Sequence, residues 1–220
     1  VCCAKKSVEV HGSVGYEISK MTVIFNGYDF SKFCVIPNSQ AQLKKELGDV
    51  FPLIGMVARF HPPKTHFDLL DAFTIVKKTG VPHKLVLVGK DINTSNIALI
   101  QKIELLGLKD EVLLLDQRSD IPAIMNSLDL NILSSSSEGF PNVLAEAMAC
   151  STPCVTTDVG DAAFIVGDTG WVVPPKNPQA LADAILIAIN QKKVDPITWA
   201  SRKVACRKRI VDNFSIVNMI

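Results

Sequence analysis

Leu128-Asp-Leu-Asn-Ile-Leu133 runs directly into Ser134-Ser-Ser-Ser-Glu138-Gly-Phe-Pro-Asn-Val-Leu-Ala-Glu146-Ala-Met-Ala-Cys150. The first six residues are mostly apolar and of strand length, which suits a strand buried on both faces. A small polar loop follows, and from Pro141 the chain is apolar, Ala-rich and helical in period. Strand, short loop, helix is the unit of parallel α/β sheets, whose ligands gather where such loops leave the sheet. Pro141 fits the first helical turn because its missing N–H would have been unpaired there. The amides of Asn142, Val143 and Leu144 are therefore expected to point out of the helix start and to favour an anion. Glu138 and Glu146 bracket that start. Neither suits a phosphate, and both suit hydroxyl groups.

The same unit recurs on either side. Residues 53–60 (LeuIleGlyMetValAlaArgPhe) form an apolar run followed by a helix over about His66 to Lys78, and 84–89 form a strand followed by a helix over about Ser95 to Leu106. A third strand spans 111–116, with a short helix over Asp120 to Ser127. Beyond Cys150 come a fifth strand at 153–157, a short sixth at 170–174, and a helix capped by Asn177 with Pro178 at its first position, running to about Asn190. A last helix covers Pro196 to Asn213. Nearer the start, Gln40 to Leu47 suits a short helix, Met21 to Phe33 reads as an edge or connector closed by an Asn-Gly turn, and Val1 to Lys20 is weakly patterned. Apolar strands alternating with helices predict a Rossmann-like, doubly wound parallel sheet covered on both faces. Its carboxyl edge would carry Arg59 to Lys64, Gly89 to Asp91, Asp116 to Asp120 and Ser134 to Asn142, with Thr156 to Gly160 beside them.

The chain has 220 residues, 48% of them hydrophobic, enough to bury a full core. A net charge of +1 with no long basic stripe argues against a nucleic-acid partner. The one basic cluster, Arg202 to Arg209, reads as a solvated helix face. Six cysteines follow no zinc spacing and read as reduced, mostly buried thiols. No apolar stretch reaches the roughly 18 residues that span a bilayer, and a cytoplasmic location is expected. His11, His66 and His83 form no metal set, and His61, beside two prolines, reads as a loop residue.

Arg59 and Lys64 flank a loop stiffened by Pro62 and Pro63, so both cations can face one crevice. Arg offers phosphate oxygens a planar fork and Lys a mobile charge. With a helix start on the same edge, the set suits a diphosphate. Neither a Gly-x-Gly-x-x-Gly nor a Gly-Lys-Ser/Thr loop follows the first strands, which argues against nicotinamide and P-loop enzymes. Glu146 lies among Leu144, Ala145, Ala147 and Met148. A half-buried carboxylate there needs hydrogen-bond donors, which ribose hydroxyls supply.

Taken as a set, three motifs resemble the family 4 retaining glycosyltransferases of GT-B architecture: Glu-x7-Glu within Ser137 to Ala149, Arg59-Phe-x3-Lys64, and Asp120-Ile-Pro-Ala-Ile-Met-Asn-Ser-Leu-Asp-Leu130. The resemblance runs from Asn26-Gly-Tyr-Asp-x3-Phe33 to Asn213-Phe-Ser-Ile216. It implies the C-terminal half of a GT-B fold, with residues 1–35 as a remnant of an N-terminal domain and connector, and 36–220 as the nucleotide-sugar-binding domain. The implied donor is a nucleoside diphosphate sugar, with no further cofactor and no metal. Arg59 and Lys64 match the diphosphate-binding pair, Glu138 the carboxylate near the transferred sugar, and Glu146 the one holding the ribose. Gly139, Phe140, Pro141, Asn142, Val143 and Leu144 match the loop and helix start around sugar and phosphate, and Gln117 and Arg118 the segment beside the nucleobase. Catalytic roles are implied for Glu138, Arg59 and Lys64. A glycan or lipid-linked glycan acceptor is implied through the N-terminal half, with peripheral association at the inner membrane face open to the full-length protein. Gly89-Lys-Asp91 departs from the Gly-x-Gly of many members, and Asp161 to Val166 lacks the glutamate often found after the fifth strand. A GT-B-type nucleotide-sugar epimerase and a non-catalytic nucleotide-sugar-binding module remain as alternatives.

Overall fold

The computed structural model describes residues 1–37 and 52–219; the helix expected over Gln40 to Leu47 lies outside them. Six parallel strands form one sheet in the order β3-β2-β1-β4-β5-β6. They are β1 Leu53–Val57, β2 Lys84–Val88, β3 Val112–Leu114, β4 Leu130–Leu133, β5 Cys154–Thr157 and β6 Trp171–Val173. β1 and β4 are buried along almost their whole length, as expected for central strands covered on both faces. The chain winds from β1 to β3 on one side and returns to place β4 against the other side of β1, pairing Ile54 with Leu130 and Gly55 with Asn131. That reversal opens a crevice at the carboxyl ends of β1 and β4.

One face carries α2 (His66–Lys78), α3 (Ile97–Leu105) and α7 (Pro178–Val194), packed through Leu69, Phe73, Leu99 and Ile185. The other carries α4 (Ile121–Ser127), α5 (Asn142–Ala149) and α6 (Ala162–Val166), with α8 (Pro196–Asn213) laid over α5. The Asn177 side chain accepts the Ala180 amide at 3.0 Å, so the cap expected there is present.

The start of the chain packs onto this second face. Met21 to Phe33 is a connector that adds no strand to the sheet, anchored by buried Tyr28, whose N–H donates to the Phe214 carbonyl. Ahead of it α1 (Lys5–Ser13) is a helix that the weak pattern of Val1 to Lys20 does not predict.

The basic cluster on α8 is only in part the solvated face expected of it: Lys208 is exposed, but the arginines serve the fold. Arg207 donates to the Ala149 carbonyl at the end of α5, Arg209 to the Ile165 and Phe164 carbonyls of α6, and Arg202 lies 4.4 Å from the Trp171 ring. The physical reason is that α8 crosses two helix C-termini whose carbonyls need donors and whose dipoles favour cations. The thiols also differ in part from expectation. Cys150, Cys154 and Cys206 are buried, with burial pushing Cys150 and Cys206 up to about 12, whereas Cys2 and Cys34 are half-buried and Cys3 is exposed.

Candidate functional site

The crevice is built by tying two loops together. After β1 the chain turns through Pro62 and Pro63 and reverses at Thr65, which sits in the left-handed region at φ 44°. The Thr65 hydroxyl donates to the Ser134 carbonyl, the Ser134 hydroxyl donates to the Lys64 carbonyl at 3.0 Å, and the Ser136 amide donates to the Pro63 carbonyl at 2.8 Å. From below, the Thr157 hydroxyl on β5 holds the Ser135 carbonyl at 2.6 Å. The serine run is thus a bracket that fixes one strand-end loop against the other.

The charged groups sit on that bracket. Lys64 Nζ pairs directly with Glu138 Oε1, and the Ser135 hydroxyl donates to the same oxygen at 2.6 Å. The two side chains are only 21% and 12% exposed, so their charges attract in a medium less screening than bulk water. Sequence reasoning assigns Lys64 to the diphosphate and Glu138 to the sugar as separate duties; the structure joins them in one ion pair. Arg59 is exposed just past β1 on the same edge, with its backbone packed under Gly89. Gly89 has φ 149°, and a Cβ there would lie 2.2 Å from the Ala58 carbonyl oxygen, so glycine is required for this crossing.

The turn into α5 is held from outside. The Gly139 carbonyl accepts the Asp161 amide at 2.9 Å, and Phe140 is buried with its ring 5.8 Å from Phe25 and 5.6 Å from Phe214. Pro141 stands at the N-cap of α5. The Leu144 amide closes onto the Pro141 carbonyl at 3.1 Å. This corrects the expectation of three outward amides, because a helix closes its first turn on the cap carbonyl. Asn142 accepts hydrogen bonds at 2.7 Å from both Asn26 and Tyr28, and Val143 is half-buried beside it.

Glu146 lies one turn further along α5, half-buried, with burial holding its carboxyl above the usual range. Its charge also helps to raise the Tyr28 phenol, after burial of the phenol itself. Glu146 therefore faces the connector side of the crevice. At the far edge Gln117 is exposed, and Arg118 forks onto Asp120 at 2.8 and 2.7 Å, which holds the Asp120 carboxyl below its ordinary value. The structure thus gathers Lys64, Glu138 and the α5 start, places Arg59 on the same edge, and turns the Arg118 fork into its own loop.

Four contributors escape single-residue reading: Thr65, Ser135, Gly160 and Asp161. The sequence places Gly160 only at the border of the edge, yet its Cα sits so close to the Glu138–Gly139 turn that a Cβ would lie 2.3 Å from the Gly139 oxygen.

A parallel sheet of this order, with cations, carboxylates and a helix start at its reversal point, defines a Rossmann-like domain with its candidate site at the carboxyl edge. The chain belongs to the glycosyl transferases group 1 family, whose model matches residues 51–191. It is 28% identical over 228 residues to a capsular polysaccharide biosynthesis glycosyltransferase, CapM, of Staphylococcus aureus, covering 97% of this chain and 58% of that protein. It is 31% identical over 157 residues to an N-acetyl-alpha-D-glucosaminyl L-malate synthase of Bacillus anthracis, covering 70% and 40% respectively. Among solved structures, HepE of Anabaena in complex with UDP superposes with a TM-score of 0.88 at 27% identity, over 99% of this chain and 60% of that one. The chain therefore spans about half the length of the relatives it matches.

Proposed function

We propose that this chain is the donor-binding domain of a retaining glycosyltransferase, which moves a sugar from a nucleoside diphosphate sugar to a glycan, lipid-linked or other acceptor. The observation that carries the reading is the Lys64–Glu138–Ser135 network at the reversal point of the sheet, beside the start of α5. It is supported by the complexes of the similar HepE with UDP and with UDP-glucose. In this reading Arg59 and Lys64 meet the diphosphate, Glu138 faces the sugar, and Glu146 takes the ribose hydroxyls. Gln117 and Arg118 border the base. As the bond from the anomeric carbon to the diphosphate breaks, negative charge collects on the departing phosphate. Fixed cations and helix amides there stabilise the transition state more than the ground state.

Residues 1–35 then belong to the end of an acceptor-side domain and its connector, and 36–220 to the donor side. The chain by itself binds donor without transferring sugar. Among the described residues no helix is long and apolar enough to cross a membrane; a cytoplasmic location, with the inner membrane face as a place of work, belongs to the same proposal.

The test is a titration of the chain with UDP, GDP, ADP and their sugars, followed by amide NMR. Glu146→Ala is expected to weaken free UDP about tenfold, the effect of one or two hydrogen bonds to a charged group. Glu138→Ala should act mainly once a sugar is attached. No response to any nucleotide, or equal losses with free UDP, would overturn the reading.

A further inference from the structure

Asp161 stands at the N-cap position of α6 but makes no side-chain bond to that helix. Its carboxylate turns instead to α1, accepting the Lys5 amide at 2.7 Å on Oδ2 and the Lys6 amide at 3.0 Å on Oδ1. These are the first helical amides of α1, and the N-cap there is Ala4, which has no side-chain acceptor. A helix start needs acceptors for its unpaired N–H groups, and a carboxylate also complements the dipole. Here that cap comes from 156 residues further along the chain.

The backbone of the same residue faces the crevice. The Asp161 amide holds the Gly139 carbonyl at 2.9 Å. Gly160, at φ 56°, brings this backbone against the carbonyls of Glu138 and Gly139, where only a residue without Cβ fits. α1 also reaches the same turn directly, since Ser7 Oγ lies 3.7 Å from where a Gly139 side chain would begin. One residue, 4% exposed, is therefore bonded through its carboxylate to α1 and through its amide to the turn that carries Glu138. A second link runs in parallel: Phe25, on the connector that follows α1, packs on both Phe140 and Phe164.

We propose that Asp161 is a positioning residue that ties the first turn of α1 to the Glu138–Gly139 turn, so that filling the turn with the donor's sugar and placing α1 are one event. This rests on the donor-binding reading above. α1 belongs to the segment leading in from the acceptor side, so the coupling would report to that side whether the sugar is in place. The consequence is specificity in the readout. A cap that only stabilised α1 would affect every ligand alike, whereas a coupled cap affects the sugar and not the nucleotide.

The test compares the wild-type chain with Asp161→Ala, which removes both acceptors, and Asp161→Asn, which keeps one. The probes are UDP and UDP-glucose, followed by calorimetry and amide NMR. In the wild type, UDP-glucose but not UDP should shift the Lys5, Lys6 and Ser7 amides. In Asp161→Ala, UDP affinity should stay within about twofold while the increment from glucose falls about tenfold, with Asp161→Asn between. Without ligand, amide exchange at Lys5, Lys6 and position 161 should rise together in Asp161→Ala. Equal weakening of UDP and UDP-glucose, or faster exchange in α1 alone, overturns the coupling. If neither probe binds, the same comparison is made with GDP, ADP and their sugars; a wild-type chain that binds none of these overturns the donor-binding reading instead, and the exchange result then decides whether α1 and the turn are tied.

Discussion

Glu138 is closed in by the Lys64 ammonium and the Ser135 hydroxyl, while Glu146, one turn into α5, is half-buried beside Tyr28 and its carboxylate accepts no hydrogen bond among the described residues. The Glu138 end is held on every side: by the Thr65 and Thr157 hydroxyls, the Asp161 amide and the close backbone of Gly160. The Glu146 end has lost water without gaining donors, which raises its carboxyl. A partly dehydrated carboxylate without a hydrogen-bond donor disfavours the folded state taken alone. It makes sense where hydroxyl donors arrive with a ligand. One end of the segment is thus preorganised by the fold, and in the proposed function the other is completed by the donor.

The harshest way to break that contrast is at the preorganised end. Gly160→Ala should cost about 2–4 kcal/mol, combining a non-glycine residue at positive φ with a Cβ driven into two carbonyls. Urea denaturation would read it, and a loss below about 0.5 kcal/mol would mean the turn is not packed as tightly as the geometry indicates. Next in size, Lys64→Met strands the Glu138 carboxylate and removes a cation from the crevice. UDP affinity should fall about 10- to 100-fold by calorimetry. A cycle with Glu138→Gln should show a stability coupling of about 1–2 kcal/mol, since the pair is only partly buried. Additivity would dissolve the pair as an organising contact.

Much of the contrast is legible in the sequence, but unevenly. The strands are readable because they are buried apolar runs, and α7 because its cap, Asn177, is local. Lys64 and Glu138 are each readable as candidate site residues from their motifs, yet their pairing spans 74 positions and carries no local signal. α1 is hidden for a related reason: Ala4 cannot cap it, and its cap, Asp161, lies 156 positions from Lys5 along the chain. The α8 arginines look solvated because the carbonyls they serve, on Ala149 and Ile165, are 58 and 44 positions away. Local chemistry shows which residues matter, and long-range closure decides what each one touches.

The subtlest way to sharpen the comparison is the proton on Glu146. Its carboxyl titrates above its ordinary value of 4.5 because burial penalises the charged form. A group whose pKa is higher in the folded chain than in the unfolded one favours folding while protonated. That contribution is whole below about 4.5 and is lost as the pH rises through the higher folded value. Relative to Glu146→Gln, which stays neutral throughout, wild-type stability should therefore decline across this window. At neutral pH the variant should be the more stable of the two, by under about 1 kcal/mol for a partly solvated group. Saturating UDP should reverse the order, because ribose hydroxyls stabilise the carboxylate and serve the amide less well. Denaturation midpoints over a pH series, with and without UDP, measure both effects. Parallel profiles for the two proteins would mean that Glu146 already has a partner in solution, and that the two ends of the segment are built alike.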